Sequence, residues 1–149
     1  MAFKRSSTLK YRKLKSGGYL VEMTWRCDTD IKGKDCWVET PRGGRATLNP
    51  DGLLTVKAGY LWDGCSGPVI DRKTNMKAGL AHDALYHMCR AGKLSAKELR
   101  DECDVLFREL VKEEGGFAFT AWLDYLGLRA GAGYAAKKQP EISDKVYEV

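Results

Sequence analysis

The hydrophobic period of this chain changes once, near residue 70, and that change limits the folds open to it. Before it, short runs suited to a half-buried pleat alternate with turn signals. Tyr19-Leu20-Val21-Glu22-Met23-Thr24-Trp25 is one such run, and Cys36-Trp37-Val38-Glu39-Thr40 is another, stopped by Pro41 and Gly43-Gly44. Asn49-Pro50-Asp51-Gly52 is a turn signal between Ala46-Thr47-Leu48 and Leu53-Leu54-Thr55-Val56. Residues 18–62 are expected to form a small antiparallel sheet of roughly three to five strands.

After Asp71 the spacing becomes helical. Met76, Leu80, Ala84, Leu85 and Met88 recur at three- and four-residue intervals, which predicts a helix over about 75–90, closed by Arg90-Ala91-Gly92-Lys93. Ser95-Ala96-Lys97-Glu98 fits a capping box that opens a second helix. Leu99, Cys103, Leu106, Phe107, Leu110 and Val111 form its apolar stripe, and Gly115-Gly116 ends it. A third helix is expected over 117–128, carrying Phe119, Trp122, Leu123 and Leu126. Strands first and helices after is an α+β pattern, a small N-terminal antiparallel β-sheet followed by a three-helix C-terminal part. One domain is expected over 1–149, with a basic arm at 1–17, a β-rich part at 18–70, a helical part at 71–136 and a peripheral tail at 137–149.

Composition removes several classes. At 149 residues, 44% hydrophobic and 30% charged, the chain is long enough to bury a core and too rich in recurring apolar residues for disorder. No apolar run approaches the roughly 18–20 residues a membrane span needs, so no transmembrane segment is expected. Met1-Ala2-Phe3-Lys4-Arg5-Ser6 has charge but no apolar region behind it, so no secretory signal is expected either. The net charge of +5 is concentrated in Lys4, Arg5, Lys10, Arg12, Lys13 and Lys15. Such an arm is drawn to polyanions, and its plainer reading is a solvated terminus. No zinc finger, recognition helix or aromatic-interleaved strand platform accompanies it, so nucleic acid is not an expected partner.

The five cysteines, 27, 36, 65, 89 and 103, are odd in number and contain no C-x-x-C pair. They are expected to be free thiols, with Cys89 and Cys103 as small core residues. His87 with Cys89 is half a metal site that only His82 and distant thiols could complete. No H-E-x-x-H helix, phosphate loop or G-x-S-x-G elbow occurs, and two histidines are too few for a metal-dependent phosphohydrolase.

Two segments carry the chemistry that remains. Trp62-Asp63-Gly64-Cys65-Ser66-Gly67-Pro68 forms a tight loop between sheet and helices, with backbone carbonyls free to point at a ligand. His82-Asp83-Ala84-Leu85-Tyr86 sits on the first helix, where His82 and Tyr86 share a face and Asp83 lies one step round. If the first two helices pack antiparallel, Asp104 can approach His82. A helical histidine whose second nitrogen is held by a carboxylate is a candidate general base. Asp104 is the orienting carboxylate and Tyr86 a donor to it, while Asp83, Asp63 and the loop carbonyls are hard oxygen ligands suited to calcium. Such a cation would polarise a carbonyl while the histidine activates water, which describes ester hydrolysis of a phosphate-bearing lipid.

This set resembles the phospholipase A2 site, particularly its shorter bacterial and fungal branch. The matching motifs are Asp63-Gly64-Cys65-Ser66, His82-Asp83-Ala84-Leu85-Tyr86, and Asp104 within Glu102-Cys103-Asp104-Val105-Leu106-Phe107. The resemblance covers about residues 60–110. It implies that His82 is the base, Asp104 its orienter, Tyr86 a support, and Asp83 and Asp63 calcium ligands, with Gly64 and Ser66 in the loop. Secreted members of that family are exported and disulfide-stapled, and neither feature is read here. A second resemblance spans more of the chain. Asp63-Gly64-Cys65-Ser66-Gly67-Pro68, the His82–Tyr86 motif, Asp104-Val105-Leu106-Phe107 and the aromatic third helix are similar to an uncharacterised domain family of phage and prophage genomes. That resemblance implies a phage protein acting in the host cytoplasm during infection, or on the virion.

The expected function is therefore a phage-encoded, calcium-assisted, phospholipase A2-like hydrolase acting on a phospholipid or other phosphate-bearing ester. The alternative is a non-enzymatic virion component or host-factor-binding protein, in which His82 bonds Asp104 purely to specify helix packing. A Cys65–His82 thiol hydrolase ranks behind both.

Overall fold

A computed structural model of the chain describes residues 5–15, 17–62, 75–115 and 142–149. In chain order the elements are β1 (Lys10–Leu14), β2 (Tyr19–Val21), β3 (Trp25–Asp28), β4 (Cys36–Glu39), β5 (Arg45–Leu48), β6 (Leu53–Val56), β7 (Leu61–Trp62), α1 (Met76–Arg90), α2 (Ala96–Glu113) and β8 (Ile142–Glu148). The class is α+β, as the change of period predicts.

The sheet differs from the expectation in extent. The strands form two four-stranded antiparallel sheets, ordered β7-β2-β1-β8 and β3-β6-β5-β4. Two of these strands lie outside 18–62. β1 comes from the segment read as a solvated basic arm. Its Tyr11 and Leu14 are buried, together with Leu9 just before it, while Arg12 reaches out to Glu22 at 2.6 Å. Alternation puts Leu9 and Tyr11 on one face with Lys10 and Arg12 on the other, and the register against β8 shifts between Arg12 and the buried Leu14. β8 comes from the segment read as a peripheral tail and lies antiparallel on β1, with Tyr11 opposite Tyr147. Leu9 and Val149 exchange two backbone hydrogen bonds of 2.6 and 2.7 Å beside it. The arm also touches the second sheet, where Ser6 bridges to Cys27 of β3.

Period two accounts for the second sheet. Trp25, Cys27, Val38, Ala46, Leu48, Leu54 and Val56 point inward and are all at least nine-tenths buried, with Arg26, Trp37 and Arg45 on the opposite face. Trp37 is half exposed there, under the Arg45 guanidinium at 3.8 Å. Gly44 marks a close approach of two loops. A Cβ at that position would fall 1.8 Å from the Tyr60 backbone nitrogen.

The helices complete the core. α1 is buried along most of its length, including Ala78, Leu80, Ala81, Ala84, Leu85 and Met88. α2 begins where the capping box predicts, with the Ser95 hydroxyl accepting from the Glu98 backbone N–H at 3.4 Å. It ends at the predicted glycine, since Gly115 has φ +87°. The two helices form an antiparallel pair joined by the short link at residues 91–95. The predicted third helix over 117–128 lies outside the described residues, as does all of the predicted 62–68 loop after Trp62.

Candidate functional site

The antiparallel pairing of α1 and α2 builds the site. His82 lies near the middle of α1 and Tyr86 one turn further on, with ring centroids 4.0 Å apart. Asp104 lies near the middle of α2, immediately after Cys103 of the apolar stripe, and is completely buried. Its Oδ1 stands 2.7 Å from His82 Nε2 and accepts from the Tyr86 hydroxyl at 3.1 Å. Phe107, one turn along α2, packs edge-on against the His82 ring. The residues that sequence reasoning brought together as candidate catalytic groups are therefore in contact.

Each group is held in a defined state by its surroundings. With Asp104 ionised and the His82 ring neutral, Nε2 donates to the carboxylate and Nδ1 keeps its lone pair. No partner of Nδ1 is found among the described residues. Burial first, and then the Asp104 charge, push the Tyr86 hydroxyl well above the ordinary tyrosine range, so it remains a donor. His82 is 4% exposed, and without Asp104 its ring N–H would face an apolar interior.

Asp83 is also buried, at 9% exposure beside His82, which differs from the plainer reading of a solvated carboxylate. Its carboxylate is a hard oxygen donor one residue from His82 on α1. The other expected calcium ligands, Asp63, Gly64 and Ser66, and the candidate nucleophile Cys65 lie outside the described residues. Among the described residues no three or more histidine, cysteine or acidic groups are clustered so as to hold a metal ion.

Several polar features escaped the sequence reading. Lys77 is 2% exposed and forms an ion pair with Glu114, tying the start of α1 to the end of α2. A lysine flanked by Met76 and Ala78 gives no sign that its ammonium turns inward. His87, one half of the metal pair considered above, instead lies 3.0 Å from the Tyr60 hydroxyl through Nδ1. Burial and then the Arg90 charge hold its pKa below the usual histidine value. Trp62, the last described residue before 63–74, buries an indole N–H that has no acceptor among the described residues.

A cleft of about 220 Å³ lies on another face of α2, lined by Asp30, Asp101, Glu102, Val105, Leu106 and Glu109. It does not include His82. The Arg5 guanidinium spans its rim, 3.3 Å from Glu109 and 3.7 Å from Asp30. No helix among the described residues is long and apolar enough to cross a membrane. No protein-family model, curated protein or solved structure matches the chain.

Proposed function

We propose that this chain is a phage-encoded, phospholipase A2-like hydrolase that cleaves a carboxylic ester in a phospholipid or another phosphate-bearing substrate. The observation that carries the reading is the buried contact of 2.7 Å between His82 Nε2 and Asp104, with Tyr86 on the same oxygen. It leaves the Nδ1 lone pair to take a proton from water as that water attacks the ester carbonyl. Asp104 fixes the tautomer and stabilises the imidazolium that forms, and Tyr86 holds Asp104 in place. The proton is then returned from Nδ1 to the leaving alkoxide. Asp83, with Asp63, Gly64 and Ser66, would hold calcium, which supplies polarisation of the carbonyl and an anchor for the phosphate.

A second reading is supported by how deeply the contact is buried. As a non-enzymatic virion component or host-protein-binding factor, the chain would keep His82, Tyr86 and Asp104 to fix the α1–α2 register. Fatty-acid release from anionic phospholipid vesicles, measured with calcium and with chelator, separates the two. The hydrolase reading expects release with calcium that stops on chelation. Absence of release, together with absence of calcium binding by calorimetry, overturns it in favour of the second reading.

A further inference from the structure

The cleft beside α2 plays no part in the hydrolase reading. Its volume is about 220 Å³, room for one or two side chains, and its walls are mostly apolar. Val105 and Leu106 supply that aliphatic surface. Leu106 is buried, while Val105 stays 36% exposed, an aliphatic side chain left facing solvent on the helix. Four carboxylates stand around them, Asp101, Glu102 and Glu109 on α2 and Asp30 just after β3. On α2 these acids and Val105 recur at three- and four-residue spacing, so they share one face. The whole chain carries a net charge of +5, and this face has the opposite sign.

The chain itself shows what the rim accepts. The Arg5 guanidinium lies 3.3 Å from Glu109 and 3.7 Å from Asp30, joining two elements far apart in sequence. With Arg5 in place the Asp30 side chain is still 83% exposed and that of Glu109 43%, so both carboxylates keep lone pairs open to further donors. Among the described residues the acids do not converge so as to hold a metal ion. They are spread around aliphatic surface instead, which matches a chain whose cationic and aliphatic side chains alternate. We propose that the cleft docks a basic amphipathic segment of a partner protein. Its arginine or lysine groups meet Asp30, Asp101 and Glu102, and an aliphatic side chain covers Val105 and Leu106. The charged rim orients the segment and speeds encounter, while burial of Val105 contributes affinity. His82 is not part of the cleft, so docking is independent of ester hydrolysis.

The test titrates acetyl-Arg-Leu-Arg-Leu-Arg-amide into the isotope-labelled full chain and follows backbone amide shifts by NMR. A molecule of net positive charge repels a cationic peptide in general, so binding here reports a local site. Shifts are expected at Asp30 and over residues 101–109. Acetyl-Arg-Gly-Arg-Gly-Arg-amide, which keeps the charge and drops the aliphatic side chains, should bind about fivefold more weakly or worse. Glu102→Lys should weaken binding of the first peptide by about tenfold, and Val105→Ser by about fivefold. Both positions are exposed, so the variants keep the fold, and the same spectra report it. The proposal is overturned if the first peptide causes no shifts at millimolar concentration, or if the shifts fall outside the cleft. It is equally overturned if the glycine peptide binds as tightly, or if folded Glu102→Lys binds as the wild type does.

Discussion

At the scale of single residues, Asp104 holds the most at stake. It is wholly buried and accepts two donors, so removing it strands both His82 and Tyr86. Asp104→Ala is expected to lower stability by about 3 kcal/mol, read from urea unfolding, because unsatisfied buried donors cost more than the bond they made. Tyr86→Phe should cost only about 1 kcal/mol, since it removes one donor and leaves the His82 bond in place. His87 provides a pH test. Its folded pKa lies below its unfolded value, through burial and then Arg90, so the unfolded state binds the extra proton first. The stability it contributes is therefore full above about pH 6.5 and is lost as pH falls through the folded value. Thermal melts between neutral and mildly acidic pH should fall less steeply for His87→Gln than for the wild type, and equal slopes would contradict the assignment.

At the scale of elements, local signals set the helices. The Ser95–Glu98 capping box and the stripe ending in Val111 define α2, because cap and period both lie within one stretch of chain. Ser95→Ala should cost about 1 kcal/mol in the same unfolding experiment. The His82–Asp104 contact was legible for a similar reason. Two amphipathic helices joined by a short link leave few ways to bring their faces together. β1 was missed because Lys10, Arg12 and Lys13 hide the inward Tyr11 and Leu14. β8 was missed because its partner lies at the other end of the chain, and no local pattern states that register. The inward turn of Lys77 toward Glu114 was hidden likewise, since the partner lies beyond the whole of α2. Gly44 is a further tertiary requirement invisible in sequence. Gly44→Ala should destabilise by about 2–3 kcal/mol through its clash with the Tyr60 backbone.

At the scale of the whole molecule, the two ends of the chain close the fold. Arg5 reaches Asp30 and Glu109, Ser6 bonds Glu113 of α2, and β8 covers the open side of β1. Exposed ion pairs of the Arg5 kind contribute little each, so the closure rests mainly on β-pairing and on burial of Leu9 and Leu14. Removing residues 141–149 is expected to leave β1 as a bare edge, lowering the melting temperature and promoting aggregation visible by light scattering. The candidate active centre lies across α1 and α2, whose pairing draws on the same core. The central question for this centre is whether His82 does chemistry there or only holds the helices in register. The most direct measurement is ester hydrolysis on anionic phospholipid vesicles in calcium by the wild type and by His82→Gln, whose amide can still donate to Asp104. The expected variant has an unchanged circular dichroism spectrum and a turnover lower by about 100-fold or more. Equal turnover in a folded variant, or none in either protein, would contradict the hydrolase reading.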